Sequence, residues 1–286
     1  MQVVGEVAQV LVTVKATPQP SEKYGDTVCV AGIRVDGGRA EWVRLYPIPF
    51  RWLEGEQRFK KYDLIEVEIR RRHQDSRQES YSPAQDSIRV IKQVASWEGR
   101  DEILRRVESV PACELIRGAA TSHSAPSLGA VRVVGTPEVE FAPHGVWSED
   151  QIRRMRQKME ASRLDLFGEV QVPGLLKAPR LKLRYLFRCE APGCPGHGAR
   201  NLDWELTAFQ NRHRGTDADL REQVRERFVT QMFGGRRATS LFMGNFEDAR
   251  KRGSFSVLGV YYPPFAVATS RTLFDLDSNE VISSGA

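Results

Sequence analysis

The chain has 286 residues, of which 41% are hydrophobic and 28% are charged, and its formal net charge is +5. This length allows one large or two smaller domains with a buried core, and the composition is that of an ordinary soluble globular protein. No segment contains the roughly 18 apolar residues of a membrane span, and the N-terminus lacks the basic region of a secretory signal. Four cysteines do not indicate a disulfide framework in a chain of this size, so we expect a cytoplasmic protein with reduced thiols and no membrane partner.

The positive charge is concentrated in the second half of the chain. Residues 151–252 contain 21 Lys and Arg against 12 Asp and Glu, a net charge of +9 that leaves the rest at −4. Seventeen of these 21 bases are Arg, whose planar guanidinium group binds phosphate oxygens in pairs. The pattern favours nucleic acid as a partner. The alternative is that an arginine-rich genome places Arg on ordinary solvated helix faces.

The first 95 residues predict a β-barrel-like domain. Asp36-Gly37-Gly38 indicates a hairpin turn, because Asp-Gly readily takes the positive φ that such turns require. Several short apolar runs with turn signals between them suggest a small barrel or a strongly curled sheet. These runs predict five strands, at residues 10–14, 27–30, 41–46, 64–69 and 88–91.

A mixed connecting segment is expected over residues 96–147, and a basic α+β domain over residues 148–286. Ser96 is expected to cap a helix that runs to about Glu108. Ser148 and Gln151 have the spacing of a capping box at the start of another helix. The predicted fold class is therefore α+β, with a small N-terminal β-barrel-like domain followed by a mixed α+β domain that contains a Cys/His turn.

The most readable part of the basic domain is residues 180–265. Residues 181–187 alternate like a strand and lead directly to Cys189. Asn201 is expected to cap a helix that ends near His213, and Thr216 or Asp217 to cap a longer one. Two further strands are predicted at the end of this region, at residues 239–243 and 254–262.

A zinc site is predicted in the turn that follows Cys189. Cys189, Cys194 and His197 form a Cys-x4-Cys-x2-His array on a turn rich in Pro and Gly. A tetrahedral zinc ion takes about four thiolate, imidazole or carboxylate ligands, so the array lacks one. We expect Asp203, at the start of the next helix, to be the fourth ligand, with His213 as the alternative. The other interpretation is two reduced cysteines and a surface histidine in a proline-stiffened loop.

Asp203 and Glu205 are also candidates for a catalytic acid pair. Nucleases commonly hold Mg²⁺ or Mn²⁺ with two carboxylates beside a basic group, and His197 or His213 would supply a general base. However, residues two apart on a helix point about 200° away from each other. The alternative is therefore that one acid caps the helix N-terminus while the other faces solvent.

The third predicted β-strand has the residues of a nucleic-acid platform. Trp42, Arg44 and Tyr46 alternate and therefore share one face, and Arg51 follows closely. Aromatic rings and cations together suit single-stranded nucleic acid, which stacks its bases and carries charged phosphates. Alternatively, the rings point into the barrel and Arg44 is a lone charge at its rim. In the basic half, the expected contacts to nucleic acid are Arg184, Arg212, Arg214, Arg236 and Arg237.

Both ends of the chain resemble one group of bacterial hypothetical proteins. At the start, the resemblance is carried by Trp42-Val-Arg-Leu-Tyr-Pro-Ile-Pro-Phe-Arg51 and by Phe59-Lys-Lys-Tyr62. At the end it is carried by Asp203-Trp-Glu205 and by Phe255-Ser-Val-Leu-Gly-Val-Tyr-Tyr-Pro-Pro264. The resemblance covers about half of the chain. It implies a bacterial protein in which both ends belong to one unit, and it carries over no catalytic residue.

From these features we expect a nucleic-acid-binding protein with a zinc-stabilised, Arg-rich C-terminal domain, in bacterial genome maintenance or defence. One alternative is a metal-dependent nuclease or phosphodiesterase that uses His197, Asp203, Glu205 and His213 with Mg or Mn. The other is an interaction module whose Arg surface binds an acidic protein. The type of nucleic acid, DNA or RNA, and the oligomeric state are left open by the sequence.

Overall fold

The computed structural model of the protein describes residues 5–18, 20, 27–164 and 174–269. It confirms the α+β fold class: a closed N-terminal barrel is followed by a second sheet that is accompanied by helices. The Cys/His turn lies in the C-terminal part, as predicted. No helix in the described part of the chain has the length and apolar character needed to cross a membrane.

Six strands build the N-terminal half. Hydrogen bonds join the first five in the order β1-β2-β3-β5-β4, and β1 also pairs with β4, so these five close into a barrel that β6 extends. Strands β3 and β5 run parallel, whereas the other pairs are antiparallel. This arrangement is that of the OB-fold. The strands are β1 (Glu6–Lys15), β2 (Val28–Arg34), β3 (Glu41–Ile48), β4 (Asp63–Arg71), β5 (Ser80–Pro83) and β6 (Arg89–Gln93).

Alternation of apolar and polar residues decides which side chains fill the barrel. Ile65, Val67 and Ile69 of β4 are fully buried in the core, while the glutamates between them are partly exposed. Gly32 of β2 is required by close packing, because a Cβ there would lie 2.3 Å from the carbonyl oxygen of Leu11. Strand β5 was not predicted. It is four residues long and polar, and only its pairing with distant strands makes it a strand.

Five strands build the second sheet, in the order β11-β10-β7-β8-β9 with antiparallel neighbours. A parallel bridge joins Asn201, just after β9, to Val257 of β11, and the Leu202 N–H donates to the Val257 carbonyl at 2.7 Å. The second half therefore repeats the pairing scheme of the first half, a relation that the sequence did not reveal. The strands are β7 (Leu128–Pro143), β8 (Leu181–Cys189), β9 (His197–Arg200), β10 (Ser240–Asn245) and β11 (Phe255–Tyr261).

The helices begin close to the predicted capping residues. Ser96, Ser148 and Thr216 each accept a backbone hydrogen bond at a helix start. The exception is the fourth helix, which Asp203 caps in place of Asn201, because the chain is still bridged to β11 at residue 201. A π-helical turn over Glu226–Thr230 continues the fifth helix. The helices are α1 (Trp97–Leu104), α2 (Ala112–Thr121), α3 (Glu149–Leu164), α4 (Trp204–Arg212), α5 (Asp217–Arg225), α6 (Gln231–Phe233) and α7 (Phe265–Thr269).

A separate apolar core lies between the two halves. The outer face of β2 and β3 packs against the second sheet, and the Trp42 ring meets the Phe242 ring edge-on at a centroid distance of 5.5 Å. This packing removes the outer face of β2 and β3 from solvent. The buried members of this core include Ala31, Ile33, Leu128, Phe242, Leu258 and Tyr261.

A buried ion pair also joins the two halves. The Lys61 Nζ lies 2.6 Å from an oxygen of Asp203, and the two side chains are only 6% and 4% exposed. Glu205 lies 3.6 Å from the same Nζ but is 51% exposed. Desolvation acts to lower the pKa of Lys61, but the carboxylates of Asp203 and Glu205 outweigh it and raise that pKa above its usual value. Lys61 therefore stays charged within the protein.

We expect Asp203→Asn to lower the free energy of unfolding by about 3–5 kcal/mol, because it leaves the buried Lys61 ammonium without a counter-charge. Asparagine still caps α4, so the change isolates the ion pair. Glu205→Gln is the matched control and should cost less than about 0.5 kcal/mol, since this carboxylate is at the surface. Urea denaturation measures both. Equal stability of the two variants would contradict this assignment.

Candidate metal centre

The turn between β8 and β9 brings three candidate ligands together. Cys189 ends β8 and His197 begins β9, so the array closes a hairpin. The sequence had suggested that a helix follows the array directly, but strand β9 lies between the array and the helix. Gly193 and Gly196 have φ values of +66° and +95°, which residues with a side chain rarely adopt. The Cys194 N–H donates to the Ala191 carbonyl at 3.1 Å and fixes the turn. The local sequence thus directs all three side chains to one point.

Distances within the turn match those of a metal site. The Sγ atoms of Cys189 and Cys194 lie 3.6 Å apart. The His197 Nε2 lies 3.2 Å from the Sγ of Cys194 and 3.6 Å from that of Cys189. Ligands about 2.0–2.3 Å from a tetrahedral ion are separated by about 3.3–3.8 Å from one another. The predicted convergence of these three residues is confirmed.

The fourth candidate ligand is Cys113, from helix α2. Its Sγ lies 3.7 Å from the Sγ of Cys189 and 3.3 Å from the Nε2 of His197. All four ligand atoms lie within 4.8 Å of one another. Cys113, Cys189, Cys194 and His197, named here the Cys/His cluster, are therefore close enough to hold a metal ion. Such an ion would tie α2 to the hairpin of β8 and β9.

The surroundings of the Cys/His cluster shift the pKa values of His197, Cys113 and Cys194. Desolvation lowers the pKa of His197, which favours the neutral imidazole that binds metals. Desolvation, together with the neighbouring thiols, raises the pKa of Cys113 to about 11. Burial opposes ionisation of Cys194, but the backbone N–H groups of Cys189 and Gly196 outweigh it and lower the pKa of this thiol. Three crowded sulfurs need a cation before all can be thiolates.

Sequence reasoning named Asp203 where the structure has Cys113. Asp203 is bonded to Lys61 and caps α4, so it is not part of the Cys/His cluster. Cys113 precedes Cys189 by 76 residues, and no local spacing links the two. The available signal was the cysteine count, because only Cys29 and Cys113 lie outside the turn.

The four residues named as catalytic are divided between the Cys/His cluster and helix α4. His197 belongs to the Cys/His cluster, and Asp203 is buried against Lys61. Glu205 is partly exposed at the start of α4, while His213 caps the other end, about 12 Å away along the axis. Within the described ranges, the Cys/His cluster is the only group arranged to hold a metal. Asp203 and Glu205 both lie close to the Nζ of Lys61, so the structure brings these two carboxylates to one ammonium group.

The residues of the predicted N-terminal platform lie mainly between the two halves. Arg44 is 3% exposed, and its guanidinium donates to the carbonyl and hydroxyl oxygens of Ser127, both at 3.2 Å. Tyr46 lies under the guanidinium of Arg72 at 4.9 Å, and Arg51 donates to the Gly174 carbonyl. Alternation did place Trp42, Arg44 and Tyr46 outside the barrel, but the second half covers this face.

The predicted C-terminal arginines are exposed but dispersed. Arg184 lies on the outer face of β8, 3.3 Å from Glu140. Arg212 and Arg214 lie at the end of α4, and Arg236 precedes Arg237 in the connection to β10. The Arg237 guanidinium lies over the ring of Tyr262 at 5.6 Å.

Arg184 belongs to a surface that the sequence analysis did not assemble. The side chains of Lys182, Arg184 and Arg188 alternate with buried residues along β8, and Arg200 is opposite Arg184 on β9. We name Lys182, Arg184, Arg188 and Arg200 the cationic face. Among the described residues, Arg184 is the only member in a salt bridge. The alternation of charge along β8 was visible in the sequence, but the pairing with β9 was not.

Comparison with known protein families shows the family to which the chain belongs. The domain of unknown function DUF8757 matches residues 108–278, and the domain of unknown function DUF8758 matches residues 6–106. The chain belongs to the DUF8757 family, with an N-terminal DUF8758 region. The two matches meet between α1 and α2, where the barrel gives way to the second half. Among the curated proteins, no match to the chain is found.

We expect Cys113→Ser to reduce the bound metal as strongly as Cys189→Ser does, because each removes one of four ligands. Metal content per chain is measured by elemental mass spectrometry after gel filtration. Cys29→Ser is the matched control and should retain the full content, since Cys29 lies outside the cluster. Full metal retention in Cys113→Ser would exclude this residue as a ligand.

Proposed function

We propose that the protein binds nucleic acid on the cationic face and that a zinc ion in the Cys/His cluster holds this face in shape. The observation that carries the proposal is the position of the cations on β8 and β9. These strands are the second and third of the C-terminal half, and OB-fold barrels bind oligonucleotides on the corresponding strands. In the N-terminal half the equivalent strands, β2 and β3, are covered.

The local geometry of the cationic face suits phosphate. Arg184 lies across Gly198, where a Cβ would be 2.3 Å from the guanidinium Nη2, so the absence of a side chain makes room for it. A guanidinium held flat on a strand offers paired N–H donors to a phosphate. Glu138 and Glu140 of β7 border the face on one side. We therefore expect the phosphate backbone to follow β8 and β9 and to avoid β7.

Zinc is the metal that best fits the Cys/His cluster. Three sulfurs and one imidazole nitrogen form a set of soft and borderline ligands, and carboxylate-preferring Mg²⁺ or Ca²⁺ would not select it. A site with four protein ligands has no open coordination position, which is typical of structural zinc. The ion would fix the end of the hairpin that carries Arg184 and Arg200. Its role in this proposal is structural.

We expect the double variant Arg184→Ala/Arg200→Ala to weaken binding of single-stranded DNA or RNA about tenfold, because two phosphate contacts are lost. Fluorescence anisotropy with 20-nucleotide probes of DNA and RNA, at several salt concentrations, measures the loss. The slope of log Kd against log salt should fall by about 1–2.

The control for this experiment removes the same charge elsewhere. Arg39→Ala/Lys92→Ala takes two exposed cations from the N-terminal half and should change affinity less than threefold. Equal losses in the two double variants would show that only net charge matters and would contradict the assigned face. Absence of any salt-dependent binding by the native protein would reject nucleic acid and favour an acidic protein partner.

We expect one zinc per chain in the purified protein, and removal by a strong chelator should lower Tm by about 10 °C, since metal binding is coupled to folding. Calorimetry of the native and chelated protein measures the shift, and added zinc should reverse it. Affinity for the nucleic-acid probes should fall with the metal content. Iron or another metal in place of zinc would refute the identity, and an unchanged Tm would refute the structural role.

A further inference from the structure

A cleft of about 240 Å³ opens between the two halves, beside the covered face of β2 and β3. Its barrel side includes Cys29, Arg44 and Tyr46, and its other side includes Asn245 and Leu258. We name this space the interdomain cleft. It lies apart from the Cys/His cluster and from the cationic face, and the proposed function gives it no role.

Arg44 is a buried cation without a counter-charge in the described structure. Its guanidinium donates to the oxygens of Ser127 and, at 3.2 Å, to the Sγ of Cys29, while its buried Nε has no partner. The neighbouring Arg77 differs, because Asp75 accepts two hydrogen bonds from it at 2.8 and 2.6 Å. A buried guanidinium that no carboxylate or phosphate accompanies is unfavourable. An anion bound in the cleft would supply the missing counter-charge of Arg44.

Other residues of the interdomain cleft indicate which further groups a ligand would carry. Asn245 has a buried Oδ1 without a partner, which could accept a hydrogen bond. Leu202, Leu258 and the ring of Tyr46 provide an apolar wall, and Glu247, which also lines the cleft, is paired with Arg72 at 3.0 Å. The volume is below the range of about 300–1,000 Å³ of drug-sized sites, so the occupant is small.

We propose that the interdomain cleft binds a small organic anion, a carboxylate or phosphate on a compact apolar body, with Arg44 as its anion contact. The apolar body packs between Leu202 and Leu258, and a donor group on it reaches the Oδ1 of Asn245. This site binds its ligand independently of nucleic acid, so the test below contains none.

Cys29 provides a direct reporter of occupancy. It lines the cleft, and the other three cysteines of the chain are in the Cys/His cluster. In metal-loaded protein, a maleimide should therefore label Cys29, which intact mass spectrometry follows over time. The probes are benzoate, phenyl phosphate and AMP, with benzyl alcohol and inorganic phosphate as partial ligands. Benzoate and phenyl phosphate distinguish a carboxylate from a phosphate, and AMP tests whether a larger and more polar anion also enters the cleft.

We expect at least one of the three organic anions to slow labelling of Cys29 fivefold or more at tenfold excess over its Kd. The same probe should raise Tm by about 2–4 °C. Benzyl alcohol and inorganic phosphate should each protect less than twofold, because each lacks one half of the ligand. Failure of all three organic anions would overturn the proposal, as would equal protection by benzyl alcohol.

Two variants test whether the slower labelling of Cys29 results from binding in the interdomain cleft. Arg44→Gln should fold, since it removes an uncompensated buried charge, and should lose the protection. Leu202→Trp keeps Arg44 but fills the cleft, and this variant should also lose the protection of Cys29 by the organic anion. It provides a second test if Arg44→Gln does not fold. Arg250→Gln removes an exposed guanidinium that pairs with Asp248 and should behave like the native protein. Full protection in Leu202→Trp would overturn the proposal.

Discussion

The second half packs on the outer face of β2 and β3, and this contact sets the environment of both halves. It packs the Trp42 ring against the Phe242 ring and encloses Arg44. It also brings Lys61 of the barrel to Asp203 of the second half, 142 residues later in the chain. A barrel of this type uses such a face for ligands when it is alone. Here the face has become an internal contact, and the interdomain cleft is the part of it that remains open.

The Cys/His cluster organises the second half in a comparable way. The hairpin of β8 and β9 is short, and its inner residues pack on one side only, so its end needs a further anchor. Cys113 supplies that anchor from α2, through the sulfur atoms and the imidazole that meet at the turn. The same two strands carry Arg184 and Arg200 on their outer side. The Cys/His cluster, which is close enough to hold a metal ion, and two arginines of the cationic face thus belong to one hairpin.

Local sequence patterns predicted where many helices and strands lie, but they did not predict which residues contact one another across the fold. Alternation in β4 and the caps at Ser96 and Thr216 correspond to what the structure contains, because each depends on neighbours within a few residues. Strand β5 was missed because its identity comes from pairing with β3 and β4. The role of Asp203 was misjudged for a similar reason, since its partner Lys61 lies in the other half.

Three features were predictable from the amino-acid sequence: the α+β class, the β-rich start, and the convergence of Cys189, Cys194 and His197. These follow from side-chain periodicity and from a stiff turn, which act over a few residues. The tertiary structure alone decided that Cys113 completes the Cys/His cluster and that Arg44 is buried. The physical reason is that both depend on contacts between segments far apart in the chain, whose relative positions are set by packing of the whole protein and leave no local pattern.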